Sequence, residues 1–266
     1  MLTRLRRALI AMGTLAAMAS PALAVDAQCL AMASRDSLVR PVAYVPAALE
    51  EGQVKLTFIG HSSFIIESPG GVKVVTDYAG YAGSIVPDVV TMNRAHSSHY
   101  TNSPDPAIRH VLRGWNDDGT AAQHDVVVGD VRIRNVTTDI RGGMVGRQKD
   151  GNSIFIFEIG DLCIGHLGHL HHSLGPEHLG MIGRLDIVMV PVDGGYTMAQ
   201  AEMLEVLKTL KTKLVIPMHY FGQTTLARFI NTMEGSFKLE MASEPERIVS
   251  SADLPPEPKL LVLPGY

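Results

Sequence analysis

The sequence predicts an α/β fold in which β-sheets are covered by helices. Three observations carry this. Short apolar runs bounded by turn residues fill the chain from Val54 to about Leu167. Strand–helix–strand patterns follow them. One late stretch, "TMAQAEMLEVLKTLKT", has helical periodicity. A chain of 266 residues that is 46% hydrophobic is long and apolar enough for one globular domain with a sizeable core.

The opening "MLTRLRRALIAMGTLAAMASPALA" has Arg4, Arg6 and Arg7 before an apolar run and ends in a small-residue "ALA". That is the pattern of a secretory signal over residues 1–24, cut after Ala24. Export, most simply to a periplasm, is the expected address. Losing three arginines takes the formal charge from −4 to −7, which suits neither nucleic acid nor an anionic membrane surface. Residues 25–50 read as an N-terminal extension and 51–266 as the domain. The two cysteines, Cys29 and Cys163, leave two readings. An oxidising compartment permits a disulfide, and a buried free Cys163 within "LCIG" is the simpler alternative, favoured at this point.

Along the domain, "VKLTFIG", "SFIIES" and "VKVVTD" read as strands, with a hairpin turn at Pro69–Gly71 between the last two. "DVVTM" is a further strand. "PDPAIRHVL" reads as a short helix capped by Ser103 or Asp105. Two hairpins follow, turning at Gly129-Asp130 and Gly160-Asp161. "PEHLGMIG" predicts a short helix and "LDIVMVPV" a buried strand. The amphipathic helix comes next, with Thr197 as its cap and Met203, Leu204, Leu207 and Leu210 inward. "KLVIPMH" is a strand, "TTLARFINTM" a helix, and "KLLVLPGY" an edge strand.

The histidines are placed unevenly. His61 follows "LTFIG"; His96 and His99 follow "DVVTM"; His166, His169, His171 and His172 fall in "IGHLGHLHHSL"; His219 ends "KLVIPMH". Each group lies at the C-terminal end of an apolar strand, where open sheets gather ligand sites. A single such histidine is better read as a strand cap, and His110, His124 and His178 are so read. Four segments converging on one rim point instead to a zinc-type site, because neutral imidazole is the commonest protein metal ligand.

The same segments resemble the metallo-β-lactamase superfamily, in its ascorbate-6-phosphate-lactonase-like branch of Zn-dependent hydrolases. "FIGHSSFIIESPGGVKVVTD" is similar to that branch's opening hairpin, with His61 and Asp77 at family positions. "DVVTMNRAHSSH" lies where the family has its His-x-His-x-Asp-His motif. "IGHLGHLHHSL" lies where a bridging Asp is carried, and "VIPMHY" supplies the terminal metal His. The resemblance implies an αββα sandwich, two mixed β-sheets flanked by helices. It also implies metal-dependent hydrolysis of a small ester, lactone or phosphoester.

The motif departs from the family. Arg94 occupies the first His, Ser98 the Asp, Thr138 the mid-chain His (Asp139 follows it), and His169 the bridging Asp. Two adjacent dications need anionic ligands, so the expectation is one divalent ion, zinc first, held by His96, His99, His169 and His219, and not a two-metal site. Arg94 either anchors an anionic substrate group or, the favoured reading, pairs with Asp139 or Asp77. Asp193 is open between a general base, a partner of a ligating histidine and a turn residue, with the turn favoured. The partner is a small molecule. A non-catalytic metal- or ligand-binding descendant of the same scaffold, or a metal-free one, stays open.

Overall fold

The computed structural model describes residues 29, 49–142 and 146–265. The expected signal segment lies outside the described residues, as does most of the 25–50 extension. β1 (Gln53–Gly60), β2 (Ser63–Glu67) and β3 (Lys73–Val75) pair antiparallel in turn, and β4 (Val89–Met92) and β5 (His110–Arg113) add in parallel. β6 (Asp125–Val128) with β7 (Val131–Arg141) and β8 (Arg147–Ile159) with β9 (Leu162–His166) form the two expected hairpins, and β7 pairs with β8 to join them into a meander. Then α1 (Pro176–Ile182), β10 (Ile187–Pro191), α2 (Gln200–Leu210), β11 (Leu214–Met218) and α3 (Gln223–Met233) alternate. β12 (Lys238–Met241), β13 (Glu246–Ser250) and β14 (Lys259–Val262) close the chain.

These strands make two mixed sheets. One has the order β13-β1-β2-β3-β4-β5 and the other β12-β14-β11-β10-β9-β8-β7-β6. The period-2 pattern decides how they face each other. Leu56, Phe58, Phe64 and Ile66 of the smaller sheet pack against Ile133, Phe155, Phe157, Ile164 and Met189 of the larger, and this is the central core. The larger sheet is buried on both faces. Its outer residues Ile154, Ile156, Val188 and Val215 lie in one cluster with Met203 and Leu207 of α2 and Leu226 and Phe229 of α3. That double burial is why "IVMVP" and "LVIPM" are unbroken apolar runs. The helical layer is uneven. Among the described residues the three α-helices serve the larger sheet, while Tyr78, Ile108 and Trp115 from loops cover Val75, Val90 and Met92 on the smaller one.

Four expectations are corrected. Residues 104–109 are turn and loop, not helix. Pro106 pushes Asp105 toward extended backbone, and the Asp105 carboxylate takes the Ala107 N–H in a local turn. Thr197 does not cap α2; its hydroxyl and N–H both go to Asp193, and the helix begins three residues later after Ala199. The C-terminal strand β14 is not an edge, because β12 pairs beyond it. Residues of β12 are largely exposed without clean alternation, so "KLEM" gave no strand signal. Finally, Cys29 and Cys163 form a disulfide, with Cα atoms 5.7 Å apart, instead of leaving Cys163 free.

Candidate metal centre

The site lies where strand ends of both sheets meet. His61 follows β1, Asp77 follows β3, and His96 and His99 lie in the loop after β4. His169 and His171 follow β9, Asp193 follows β10 and His219 follows β11. The His219 N–H donates to the His61 carbonyl at 2.6 Å and ties β11 of one sheet to β1 of the other. His61, Asp77 and His219 have φ values of 51°, 42° and 54°. Left-handed backbone at non-glycine residues is uncommon, and here three such residues cluster in one place.

His61, His99 and His219 each offer a ring nitrogen within 4.8 Å of the others. Around this trio the His169 ring lies 5.1 Å from His99 and 4.8 Å from both His219 and His96, centroid to centroid. His96 is exposed at the mouth and packs edge-on against Tyr196. The Nε2 atoms of His61, His99, His169 and His219 are all buried without a hydrogen-bond partner. Buried polar atoms are ordinarily paired, so several orphans aimed at one small region mark a place made for a ligand. The donor set is all imidazole, which suits Zn²⁺ and other borderline divalent ions.

Two buried carboxylates prepare the trio. Asp77 is fully buried, yet its carboxyl is held well below the usual range. Burial alone would raise it; the electrostatic influence of the adjoining His99 and His166 rings and hydrogen bonds from His99 and Asn93 overcome that. An ionised carboxylate only accepts, so the His99 Nδ1–H donates to it at 2.5 Å. Ser62 Oγ lies 3.0 Å from the same nitrogen. In the same way the His219 Nδ1–H donates to Asp193 at 3.0 Å. Both histidines are thereby left with a lone pair on Nε2, the form a metal needs. Burial, and then the neighbouring His219 and His99, push His61 down to about 4, and burial first of all pushes His169 down to about 2, so both rings are neutral near pH 7.

Of the residues expected at the site, His99, His169 and His219 come together in the interior and His96 stands at its edge. Asp193 is both turn residue and histidine partner. Its oxygens take the N–H groups of Gly195, Tyr196 and Thr197, the Thr197 hydroxyl and His219. With both oxygens so occupied and its carboxyl held low against the effect of burial by those bonds, it has no capacity left for a general base. Arg94 does not form the expected pair. Asp139 instead binds the Arg147 guanidinium at 2.5 Å and the Asp150 N–H, both close to it across the β7–β8 hairpin. Asp77 is taken by His99 and Asn93. Arg94 is exposed and makes no ion pair among the described residues.

Several site residues escaped the sequence reading. His61 was noted by position but not expected as a ligand. His166 looked like part of the cluster, but its Nε2–H donates to the Ser62 carbonyl at 2.8 Å and its Nδ1 accepts the Gly168 N–H. Asn93 bridges the sheets, donating to Asp77 and accepting the Ser153 N–H. Asn152 takes the His169 N–H at 2.6 Å and donates to Thr138. Gly168, at φ +57°, fits between these two amides, where a Cβ would collide with both. The available signals were the strand-end position of His61 and polar residues within or just after apolar strand patterns.

The sequence profile of the beta-lactamase superfamily domain matches residues 55–219, more than half of the chain. The chain belongs to the metallo-β-lactamase superfamily. Among its relatives is a UPF0173 metal-dependent hydrolase of Pelotomaculum thermopropionicum, 27% identical over 194 residues, a match covering 63% of this chain and 84% of the relative. A UPF0173 protein of Pyrococcus abyssi is 22% identical over 63% of this chain and 83% of its own length. A crystal structure from Thermotoga maritima, described as a candidate Zn-dependent hydrolase of the same superfamily, superposes with a TM-score of 0.58. It is 26% identical and covers 80% of this chain and 100% of that one. A metallo hydrolase of Ignicoccus hospitalis shares the fold at TM-score 0.53 and 20% identity, over 74% of this chain and 97% of its own.

Proposed function

We propose that this protein is a metal-dependent hydrolase of a small ester, lactone or phosphoester, working outside the reducing cytosol with one divalent ion. The observation that carries it is the convergence of His61, His99 and His219, each with an orphaned Nε2. An ion held there would supply Lewis-acid polarisation of the scissile carbonyl or phosphoryl group. Three protein ligands are also the number that leaves a tetrahedral ion open on one side. Asp77 and Asp193 hold two of the ligands in the right tautomer. Tyr196 and Phe221 are exposed with ring centroids 5.5 Å apart, and Phe221 packs on His61 and His219. They offer an apolar wall to the organic part of a substrate. Arg94, exposed in the same loop as His96, is available to an anionic group.

One ion rather than two is supported by the donor set, since Ser98 and His169 stand where the family carries carboxylates. The extracytoplasmic address is supported by the Cys29–Cys163 disulfide, which reducing compartments disfavour, and by the signal-like opening. The lactonase-like branch is part of the same reading. The test is elemental analysis of the purified protein together with turnover of p-nitrophenyl acetate, bis(p-nitrophenyl) phosphate and a lactone panel, before and after chelation. One equivalent of metal and chelator-sensitive turnover are expected. Neither metal nor turnover would overturn the reading, and metal without turnover would favour a binding protein on the same scaffold.

A further inference from the structure

We infer that His169 presents its Nε2–H as a hydrogen-bond donor to the substrate's acceptor oxygen, and does not present a lone pair to the metal. This deepens the hydrolase reading and rests on it. The inference follows from a chain of hydrogen bonds behind the ring. The backbone N–H of Arg141 donates to His171 Nδ1 at 2.5 Å. A backbone N–H has only one role, so His171 Nδ1 must carry a lone pair and the ring proton sits on Nε2. That Nε2–H faces His169 Nδ1 at 2.5 Å. His169 Nδ1 must therefore accept, and a neutral His169 keeps its own proton on Nε2.

Ligation would need the reverse. With its Nε2 on a metal, His169 would hold its proton on Nδ1 and point it at His171 Nε2. His171 would then have to accept at both nitrogens, as an imidazolate, or lose its bond to Arg141. The second escape is opposed by the anchoring of Arg141, whose guanidinium donates to the carbonyls of Gly195, Tyr196 and Thr197. His169 is held from the other side as well, by its own N–H on Asn152.

The His169 Nε2 is buried and lacks a partner, and its ring lies among His96, His99 and His219. A donor placed there inverts the polarity of the carboxylate that the family pattern carries at this position. It cannot hold a second dication. It can stabilise the negative charge that develops on a carbonyl or phosphoryl oxygen during hydrolysis. The hydrogen bond is donated and the proton is not transferred, so no further acid or base is required. His169 is then a catalytic residue by virtue of touching the substrate.

The first test is the tautomer itself. Long-range ¹H–¹⁵N spectra of protein labelled at histidine should show His169 protonated at Nε2, unchanged when zinc is added. Protonation at Nδ1, or a zinc-induced shift of Nε2, overturns the inference. The second test is zinc affinity by chelator competition. Affinity in His169→Gln and His169→Ala should stay within about threefold of the parent, whereas a lost ligand would weaken it well beyond the ~10–100-fold seen for outer partners. The third is turnover of p-nitrophenyl acetate. His169→Gln, which keeps an N–H, should retain kcat within about tenfold, while His169→Ala should lose about 10²–10³ in kcat. Equal losses in the two variants overturn the donor role. If the parent protein binds no zinc and turns over nothing, the hydrolase reading fails, while the spectra still decide the tautomer.

Discussion

Asp77→Asn is the perturbation that best isolates how this site is prepared. The change keeps shape, and asparagine tolerates the left-handed backbone at this position, where φ is 42°. What changes is hydrogen-bond polarity. Asp77 accepts from the His99 Nδ1–H at 2.5 Å on one oxygen and from the Asn93 amide at 3.0 Å on the other. An asparagine can accept with only one end. If its oxygen faces His99, its NH₂ meets the Asn93 NH₂. If its NH₂ faces His99, the His99 proton must move to Nε2, and the lone pair that a metal needs is lost. The first arrangement sets two donors against each other in a fully buried place, and the second leaves the His99 Nε2–H as a buried donor without a partner. One unsatisfied buried donor costs about 1–3 kcal/mol. At about 2–4 °C per kcal/mol for a domain of this size, the metal-free protein should melt roughly 2–12 °C lower. Zinc affinity should fall about 10–100-fold, the usual effect of losing the group that orients a ligating histidine. Differential scanning fluorimetry of the metal-free protein and chelator-competition titration give the two numbers. Unchanged zinc affinity in a folded variant would refute the claim that Asp77 sets the His99 tautomer.

Three further outcomes are expected. Gly168→Ala adds a Cβ against the Asn93 and Asn152 amides at a left-handed φ, so urea denaturation should show a loss of about 1–3 kcal/mol; an unchanged midpoint would mean that the loop yields freely. Arg94→Ala should leave the melting temperature within about 1 °C, as for an exposed residue making no ion pair among the described residues, and a larger drop would reveal a partner. Metal-free protein should lose stability as pH falls from about 6.5 toward 4. Burial first, then neighbouring positive charge, lowers His61 and His171 to about 4, so over that window the unfolded chain binds more protons than the native one, and stability rises with pH. A flat urea midpoint between about pH 7 and pH 5 would contradict this.

Most of the fold was legible because two periodicities and a few turns encode it. Period-2 runs such as Val54–Phe58 have to bury one face, and the doubly buried runs of β10 and β11 announce a covered sheet. The misses lie where local pattern is silent. The edge strand β12 has mixed exposure, and its partner β14 is brought to it only by the tertiary fold. Pairing of Cys29 with Cys163 spans 134 residues, a separation that no local reading can measure.

The candidate site was legible to a different depth. Strand-end histidines mark where chemistry gathers, since each apolar run ends at the same rim. What each imidazole can do there is not written in its spacing. His166 and His169 sit three apart in one motif, yet one donates to a backbone carbonyl and the other faces the cluster. The difference comes from groups distant in sequence, Ser62 for the first and Arg141 through His171 for the second. A neutral imidazole has one proton and two places for it, and the partner behind the ring chooses between them. Counting histidines therefore finds the rim. Telling a ligand from a donor requires following each proton outward to a group whose role is fixed: a buried carboxylate for His99 and His219, a backbone N–H for His169. On that criterion His99 and His219 present lone pairs and His169 a proton, and the same four-histidine cluster divides into a metal seat and a substrate contact.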